Sequence, residues 1–391
     1  MVTFIDRYNI PLNGMRIAIH QSKRGFSSDW ITYCKEKGIP FKIVDCYHSD
    51  IIKHLQDCDV LLWHHHHMCS EDKLFAQQLL FAVEQSGRKV FPNFNSGWHF
   101  DDKLGQKYLL EAIGAPLVPT FIFYSKEEAN RWLTKATFPL VFKLRCGAGS
   151  SNVRLVRKKS DANRLVVQAF GSGFASYDKW ENLRDTYLKY NLKRESLKGL
   201  LKSVARLFIS TQFSRAYGPE KGYMLFQEFI PNNDSDTRVI VIYEKAFAIK
   251  RVVRKNDFRA SGSGVVNYNK EEIDIRCIKI AFDVFDKLRA QCLAFDFIFD
   301  KNKNPLIVEI NYGFAKEGYL SCPGYWNKEL NWISGKFNPL HWIIDGIERN
   351  LHPNRFASFE EETIGVEYAS KKNNANKHVS SMQGESNRLF K

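Results

Sequence analysis

The 391-residue sequence predicts an α/β protein, a parallel-sheet unit at the N-terminus followed by a mixed α+β region. Two observations carry the prediction. From Met15 to about Phe94, short apolar runs alternate regularly with helix-like segments, the pattern of a parallel sheet with helices on its faces. The second half is dominated by strand-like runs that end in an apparent hairpin, Phe295 to Asn311. With 44% hydrophobic and 26% charged residues the composition is that of a globular chain, and its length suits two or three lobes.

The first unit reads as strands MRIAIH, FKIVDC, VLLW and KVFPNF, separated by the helical runs SSDWITYCKEKG, DIIKHLQDCD and EDKLFAQQLLFAVEQSG. Parallel sheets bind ligands at the carboxyl ends of their strands, and VLLW runs directly into His64, His65, His66 and His67. Alternate residues of an extended run share a face, so His64 with His66, or His65 with His67, could chelate a metal or meet an anionic substrate. Packing histidines without either role are the alternative.

A second unit starts near Asp101 with the helical run DDKLGQKYLLEAIGA, then LVPTFIFY, a helix from Lys126 to about Lys135 and the strand FPLVFKL. That strand carries Lys143 and leads into Gly147, Gly149, Ser150 and Ser151. Glycines let backbone N–H groups approach an anion while the lysine supplies charge, so this is a candidate phosphate cradle, with a plain glycine turn as the alternative. It lacks the G-K-[ST] ending of a P-loop.

Residues 173–222 read as an insertion: Leu183, Tyr187, Leu197, Leu200, Leu201, Val204 and Leu207 recur at helical spacing among seven Lys and Arg residues. Packing of its apolar face on its own domain is favoured over weak contact with an anionic membrane surface. Strands resume with YMLFQEFI, TRVIVIY and AFAIKRVVR, followed by a loop from Asn256 to Gly264 and a helix from about Lys270 to Ala290. The stretch 351–391 is a polar tail expected to be partly disordered.

In the hairpin, Lys301 to Asn304 form the turn. Centring it between Asn302 and Lys303 sets Asp296 opposite Glu309, with Asn311 on the same face. Facing acids in an apolar hairpin call for a cation between them, and oxygen-only ligands point to Mg²⁺ and, through phosphates that complete its shell, to ATP. Solvated surface acids are the alternative reading.

Net charge +14 is compatible with nucleic acid, a membrane surface or an anionic substrate. Neither a zinc-finger pattern nor an aromatic RNA-binding signature is present, which disfavours nucleic acid. The eight cysteines contain no C-x-x-C pair, so neither a zinc site nor a disulfide framework is expected. No run is apolar for long enough to cross a bilayer and the first residues lack a signal-peptide core, so the expected location is cytoplasmic.

Taken in order, these segments resemble the ATP-grasp ligases from about Asp101 to Gly318, most of all the branch of the ribosomal-protein glutamate ligases. The segment Cys322–Ile344 resembles ATP-grasp proteins of bacterial cell-surface polysaccharide synthesis. The resemblance implies a Rossmann-like pre-ATP-grasp domain (1–100) and a two-lobed α+β ATP-grasp fold (101–222, containing the insertion, and 223–350). DKL at 102–104 and FPLVFKL at 138–144 imply that Lys103 and Lys143 bind ATP. CGAGSSNV matches the glycine-rich loop, implying Gly147, Gly149, Ser150 and Ser151. QEFI implies that Gln227, Glu228, Phe229 and Ile230 form the adenine and ribose hinge, and DTRVIVI implies Asp236 as a ribose acid. IKRVVRKNDFRAS implies Arg251 and Arg259 at phosphate and substrate, and DFIFD with VEIN implies Asp296, Glu309 and Asn311 as ligands of Mg²⁺, with Mn²⁺ as the alternative ion. Ala294 departs from the pattern, since some ligases place an arginine there, which leaves Arg259 the better transition-state contact.

The implied activity is ATP-dependent carboxylate–amine ligation through an acyl phosphate, on small-molecule substrates such as an acidic sugar or an amino acid. Two rivals stand beside it: a phosphotransferase acting on a hydroxyl, and a nonenzymatic nucleotide-responsive protein that binds anionic polymer. No oligomeric state is implied.

Overall fold

The computed structural model describes residues 15–22, 25–66, 69–147, 152–175, 183, 186–187, 190, 196–208, 218–253, 257–260 and 264–351. The chain divides into two compact units, Met1–Trp342 and Ile343–Lys391. The polar tail beyond Leu351 lies outside the described residues.

The first unit begins with β1 (Ile17–His20), α1 (Ser27–Lys37), β2 (Phe41–Val44), the single turn α2 (Ile51–His54), β3 (Val60–Leu62), α3 (Ser70–Gln85), β4 (Lys89–Phe91) and the short α4 (Phe94–Gly97). The strands form a parallel sheet in the order β2-β1-β3-β4, as the alternation predicts. Both faces are covered, so β1 and β3 are buried at every residue, and for that reason they read as continuous apolar runs. Helix α1 stops at Gly38, whose left-handed φ of 66° lets its N–H turn back to the Lys35 carbonyl.

Next come α5 (Lys103–Ala112), β5 (Thr120–Phe123), α6 (Lys126–Leu133), β6 (Leu140–Lys143), β7 (Val153–Val156), α7 (Lys159–Ala169), β8 (Phe174–Ala175), α8 (Leu197–Phe208), β9 (Pro219–Glu220) and β10 (Met224–Glu228). Asp102 caps α5, its carboxylate accepting the Leu104 and Gly105 N–H groups, and Ser125 caps α6 in the same way. The sheet β5-β10-β6-β7 is antiparallel and packs one face on α6 and α7 through Ala129, Leu133, Ala162 and Val166. In α8 the structure departs from the packing expectation. Leu197, Leu201 and Val204 are exposed, and among the described side chains of the helix Ser203 is the buried one.

The remaining elements are β11 (Ser235–Ile242), β12 (Lys245–Val252), β13 (Val266–Asn267), α9 (Ile275–Leu288), β14 (Cys292–Phe299), β15 (Pro305–Asn311), β16 (Gly324–Asn327), β17 (Trp332–Ser334) and α10 (Pro339–Leu351). Six strands run in the order β15-β14-β11-β12-β16-β17, with β13 paired to β12. One face of this antiparallel sheet, including Val239, Val241, Phe295 and Phe297, buries against Cys277, Ile278, Phe282 and Phe285 of α9. The helix expected over 270–290 is divided. A 3₁₀ turn at Lys270–Glu272 ends before Asp274, whose side chain accepts the Arg276 N–H and starts α9 afresh.

The β14–β15 hairpin corrects the expected turn while keeping its consequence. At the turn Phe299 pairs with Pro305 and Phe297 with Ile307, a register centred on Asn302 and not between Asn302 and Lys303. Val308 is then an extra residue, a β-bulge, and beyond it Asp296 pairs with Glu309 and Ala294 with Asn311. The bulge also lets Ile307 and Ile310, three residues apart, both reach the core. All eight cysteines are free and six are buried.

Candidate functional site

On the face of the large sheet turned away from α9, reached by the alternate residues of each strand, charged side chains gather at one end. Across it the register aligns Glu309, Asp296 and Arg238 on three neighbouring strands, with Asp236 paired to Arg251 beside them. Arg251 donates from Nε and Nη2 to the two Asp236 oxygens at 2.7 and 2.6 Å, and reaches Asp296 at 2.9 Å. Arg238 Nη1 lies 3.0 and 3.2 Å from the two Asp296 oxygens.

Burial sets the electrostatics of this ladder. It pushes Asp236 up to about 6 against the pull of Arg251. Burial acts in the same direction on Asp296, but Arg238 and Arg251 outweigh it and hold that carboxyl below the usual carboxylate range. Glu309, in contrast, makes no ion pair among the described residues.

A cavity of about 160 Å³ opens on this ladder and is walled on its other side by α5, β6 and the segment after β10. Lys103, Lys143, Gly147, Gln227, Glu228, Phe229, Ile230, Asp236, Arg259, Asp296 and Glu309 all line it. These residues are up to 206 positions apart in the sequence, from Lys103 to Glu309, and the fold brings them to one space. Lys143, at the end of β6, is buried, and desolvation lowers its pKa to about 8; Glu309 and Asp296 oppose that shift and Lys103 adds to it. Lys103 Nζ donates to the Gly147 carbonyl at 2.8 Å, while the Gly147 N–H donates to Asp101 at 2.7 Å, so the backbone of Gly147 is held on both sides of its Cα. Arg259 pairs with its near neighbour Asp257, Nε lying 2.9 Å from Oδ2.

Three residues of the expected set are engaged in contacts of their own. Gln227 is buried and spans the lobes, donating to Thr120 Oγ1 at 3.0 Å and to the carbonyl of the bulged Val308 at 3.4 Å. Asn311 shares the Glu309 face, but its side-chain oxygen accepts the Gly313 N–H at 2.9 Å. Arg251 turns its guanidinium on Asp236 and Asp296 and does not line the cavity. Gly149, Ser150 and Ser151 lie outside the described residues.

Arg238 and Asn233 were not singled out from the sequence. An arginine among the valines and isoleucines of a central strand, on the parity of Asp236, is a signal that could have found Arg238. Asn233 binds the hinge to β14, its Nδ2 donating to the carbonyls of Ile230 and Phe299 and its Oδ1 accepting the Phe299 N–H. No sequence pattern announces that role.

The histidine block goes elsewhere. His64 is buried, stacked on Phe26 at 3.8 Å and pressed against Gly25 and Gly313, where a Cβ would come within 2.3 and 3.1 Å of its ring nitrogens. His65 and His66 line a second, larger cavity of about 540 Å³ with Lys73, Asp101 and Arg145. Size does not decide between the cavities; the convergence of Lys143, Arg259, Asp296 and Glu309 on the smaller one does. Among the described residues no group of three or more His, Cys, Asp or Glu side chains is arranged to hold a metal ion. His67 lies outside the described residues.

Residues 210–320 match the family described as the RimK-like ATP-grasp domain. No curated protein sequence matches the chain. Among solved structures, the chain is similar to D-cycloserine synthetase DcsG, with a TM-score of 0.53 at 12% identity over 86% of this chain and 99% of that one. It is also similar to biotin carboxylase from Campylobacter jejuni, with a TM-score of 0.50 at 16% identity over 77% of this chain and 66% of that one, just under two thirds of its length. The biotin carboxylase domain of the Hydrogenobacter thermophilus 2-oxoglutarate carboxylase gives 0.50 at 15% identity over 84% and 68%. At these identities the likeness establishes the fold, which is ATP-grasp preceded by a Rossmann-like parallel α/β unit.

Proposed function

We propose that this chain, with its RimK-like ATP-grasp domain, is an ATP-dependent ligase that joins a small-molecule carboxylate to an amine and releases ADP. The observation that supports this most is the meeting of Lys143, Arg259, Asp296 and Glu309 with the 228–230 hinge in one cavity. ATP would lie there with its base and ribose against Glu228, Phe229, Ile230 and Asp236, and its phosphates toward Lys103, Lys143 and the Gly147 backbone. In the first step the substrate carboxylate oxygen attacks the γ-phosphorus and the bond to the ADP oxygen breaks. In the second the amine attacks the acyl carbon, phosphate leaves and the amine loses a proton. Neither step needs a protein nucleophile, and fixed positive charge with correct positioning supplies most of the acceleration. Arg259 is assigned to the transferring group, and Arg251 to holding Asp236 and Asp296 in place.

The donor set suits Mg²⁺. Asp296 and Glu309 oppose each other across the hairpin, and Glu309 makes no ion pair among the described residues. Asp296, Glu309 and Asn311 would hold the ion, which supplies neutralisation of charge on the phosphate oxygens. As the finer reading, the segment Cys322–Ile344 supports an acidic sugar or an amino acid as the carboxylate, in cell-surface polysaccharide or peptide synthesis in the cytoplasm.

An ADP-release screen over amino acids and sugar acids, with hydroxylamine present, tests the proposal. A ligase yields a hydroxamate with its cognate acid. A phosphorylated alcohol with no hydroxamate would make the protein a phosphotransferase and overturn the ligase reading.

A further inference from the structure

The insertion presents apolar side chains to solvent in a way that the cavity chemistry does not use. Among the described residues of the stretch 187–204, five large apolar or aromatic ones are exposed: Tyr187, Tyr190, Leu197, Leu201 and Val204. In α8, at 100° per residue, Leu197, Leu201 and Val204 fall within one arc of about 60°. Their exposures are 56, 61 and 40%, while Ser203, on the opposite side of the helix, is 3% exposed. Among the described side chains of the helix, Ser203 is buried and Leu200 half-buried, while Leu197, Leu201 and Val204 turn outward, where an ordinary surface helix would bury its apolar stripe. Exposed Lys198 and Lys202 follow the stripe on one side, beyond Leu201. Over residues 183–208 the sequence holds seven Lys and Arg against two acids, Asp185 and Glu195.

We propose that α8 docks this protein on an anionic lipid surface, lying in the plane of the headgroups with Leu197, Leu201 and Val204 inserted and the lysines on the phosphates. The combination is the argument. An apolar stripe alone fits any hydrophobic partner and a basic run alone fits any polyanion, but a stripe bordered by cations matches a surface that is apolar below and negative above. No described helix is long and apolar enough to cross a membrane, so the contact is with one leaflet. The exposed Tyr187 and Tyr190 suit the headgroup level, where aromatic rings with a polar tip collect.

The test is co-sedimentation of the full chain with vesicles of phosphatidylcholine alone, or of phosphatidylcholine with about one third phosphatidylglycerol. Binding is expected only to the mixed vesicles, weakened by added salt and reduced about tenfold both by Leu197→Ser with Leu201→Ser and by Lys198→Glu with Lys202→Glu. Turnover in solution should stay unchanged, because none of these residues lines the cavity. Leu201→Trp keeps the stripe apolar and reports insertion directly: its added emission should shift to shorter wavelength on mixed vesicles and be quenched by bromine-labelled lipid. Unchanged emission, or absence of sedimentation with the mixed vesicles, overturns the proposal. So does equal binding to soluble dextran sulfate that the leucine substitutions leave intact, which would mark α8 as a polyanion contact.

Discussion

Asp296 faces Glu309 across the β14–β15 hairpin, although the turn between the strands would by itself set Val308 opposite Asp296. The bulge at Val308 makes the difference, and the two acids it brings together differ in how they are held. Asp296 is buried between Arg238 and Arg251; Glu309 has no ion-pair partner among the described residues. Substituting one should therefore not resemble substituting the other.

Glu309→Gln removes no ion pair, so its melting temperature should stay within a few degrees of the native protein while ADP release falls about 10²–10³-fold. Asp296→Asn leaves two buried guanidinium groups without their shared anion and should cost about 3–5 kcal/mol of stability in addition to activity. Thermal melts of both variants beside ADP-release assays distinguish them. Equal loss of stability in the two would contradict the ladder described here.

Lys143 connects the cavity to pH. Burial lowers its pKa from 10.5 to about 8, so between those values the unfolded chain binds more protons than the folded one, and the folded state gains stability as pH rises through that window. Lys143→Met, which removes the buried charge, should stabilise the free protein most at pH 7 and progressively less toward pH 10. ATP beside Lys143 should favour its charged form. Nucleotide binding near pH 8 should then take up a proton in the native protein and none in Lys143→Met, as read by calorimetry in two buffers of different ionisation enthalpy.

Asn233 ties the hinge to β14, its amide donating to the carbonyls of Ile230 and Phe299 and accepting the Phe299 N–H. Asn233→Ala should destabilise by about 1–3 kcal/mol and weaken ATP binding more than it slows turnover at saturating ATP. A steady-state comparison of KM and kcat checks this; a fall in kcat with unchanged KM would not agree.

The clamp on Gly147 predicts a similar separation. Asp101→Ala frees the Gly147 N–H and leaves Lys73 without its carboxylate. KM for ATP should rise about tenfold with kcat nearly unchanged, whereas Lys103→Met should lower both ATP affinity and kcat because that ammonium also lines the cavity.

Much of this was legible in the chain. The parallel sheet was readable because β1 and β3, buried on both faces, are continuous apolar runs between helical segments. Asp296 and Glu309 were readable as a facing pair because a turn centred between Asn302 and Lys303 gives the same offset that the bulge at Val308 produces. The turn was not. Its register depends on whether Ile307 and Ile310 can both reach a core that α9 builds, and an even alternation contains no hint of the bulge this requires.

What the sequence alone determined about this protein is the order of its elements and the chemical types gathered along the chain: two lysines, a glycine loop, an acidic hairpin. Those follow from local periodicity and from side-chain chemistry. Only the tertiary structure decided which charges neutralise each other. Arg251 was expected at substrate and is bound to Asp236 and Asp296; Arg238, unnoticed, pairs with Asp296; and α8 turns Leu197 and Leu201 outward. The reason is physical. Ion pairing and burial are set by distances of a few ångströms between residues far apart in the chain, and a linear pattern carries no information about them until the sheets are in place.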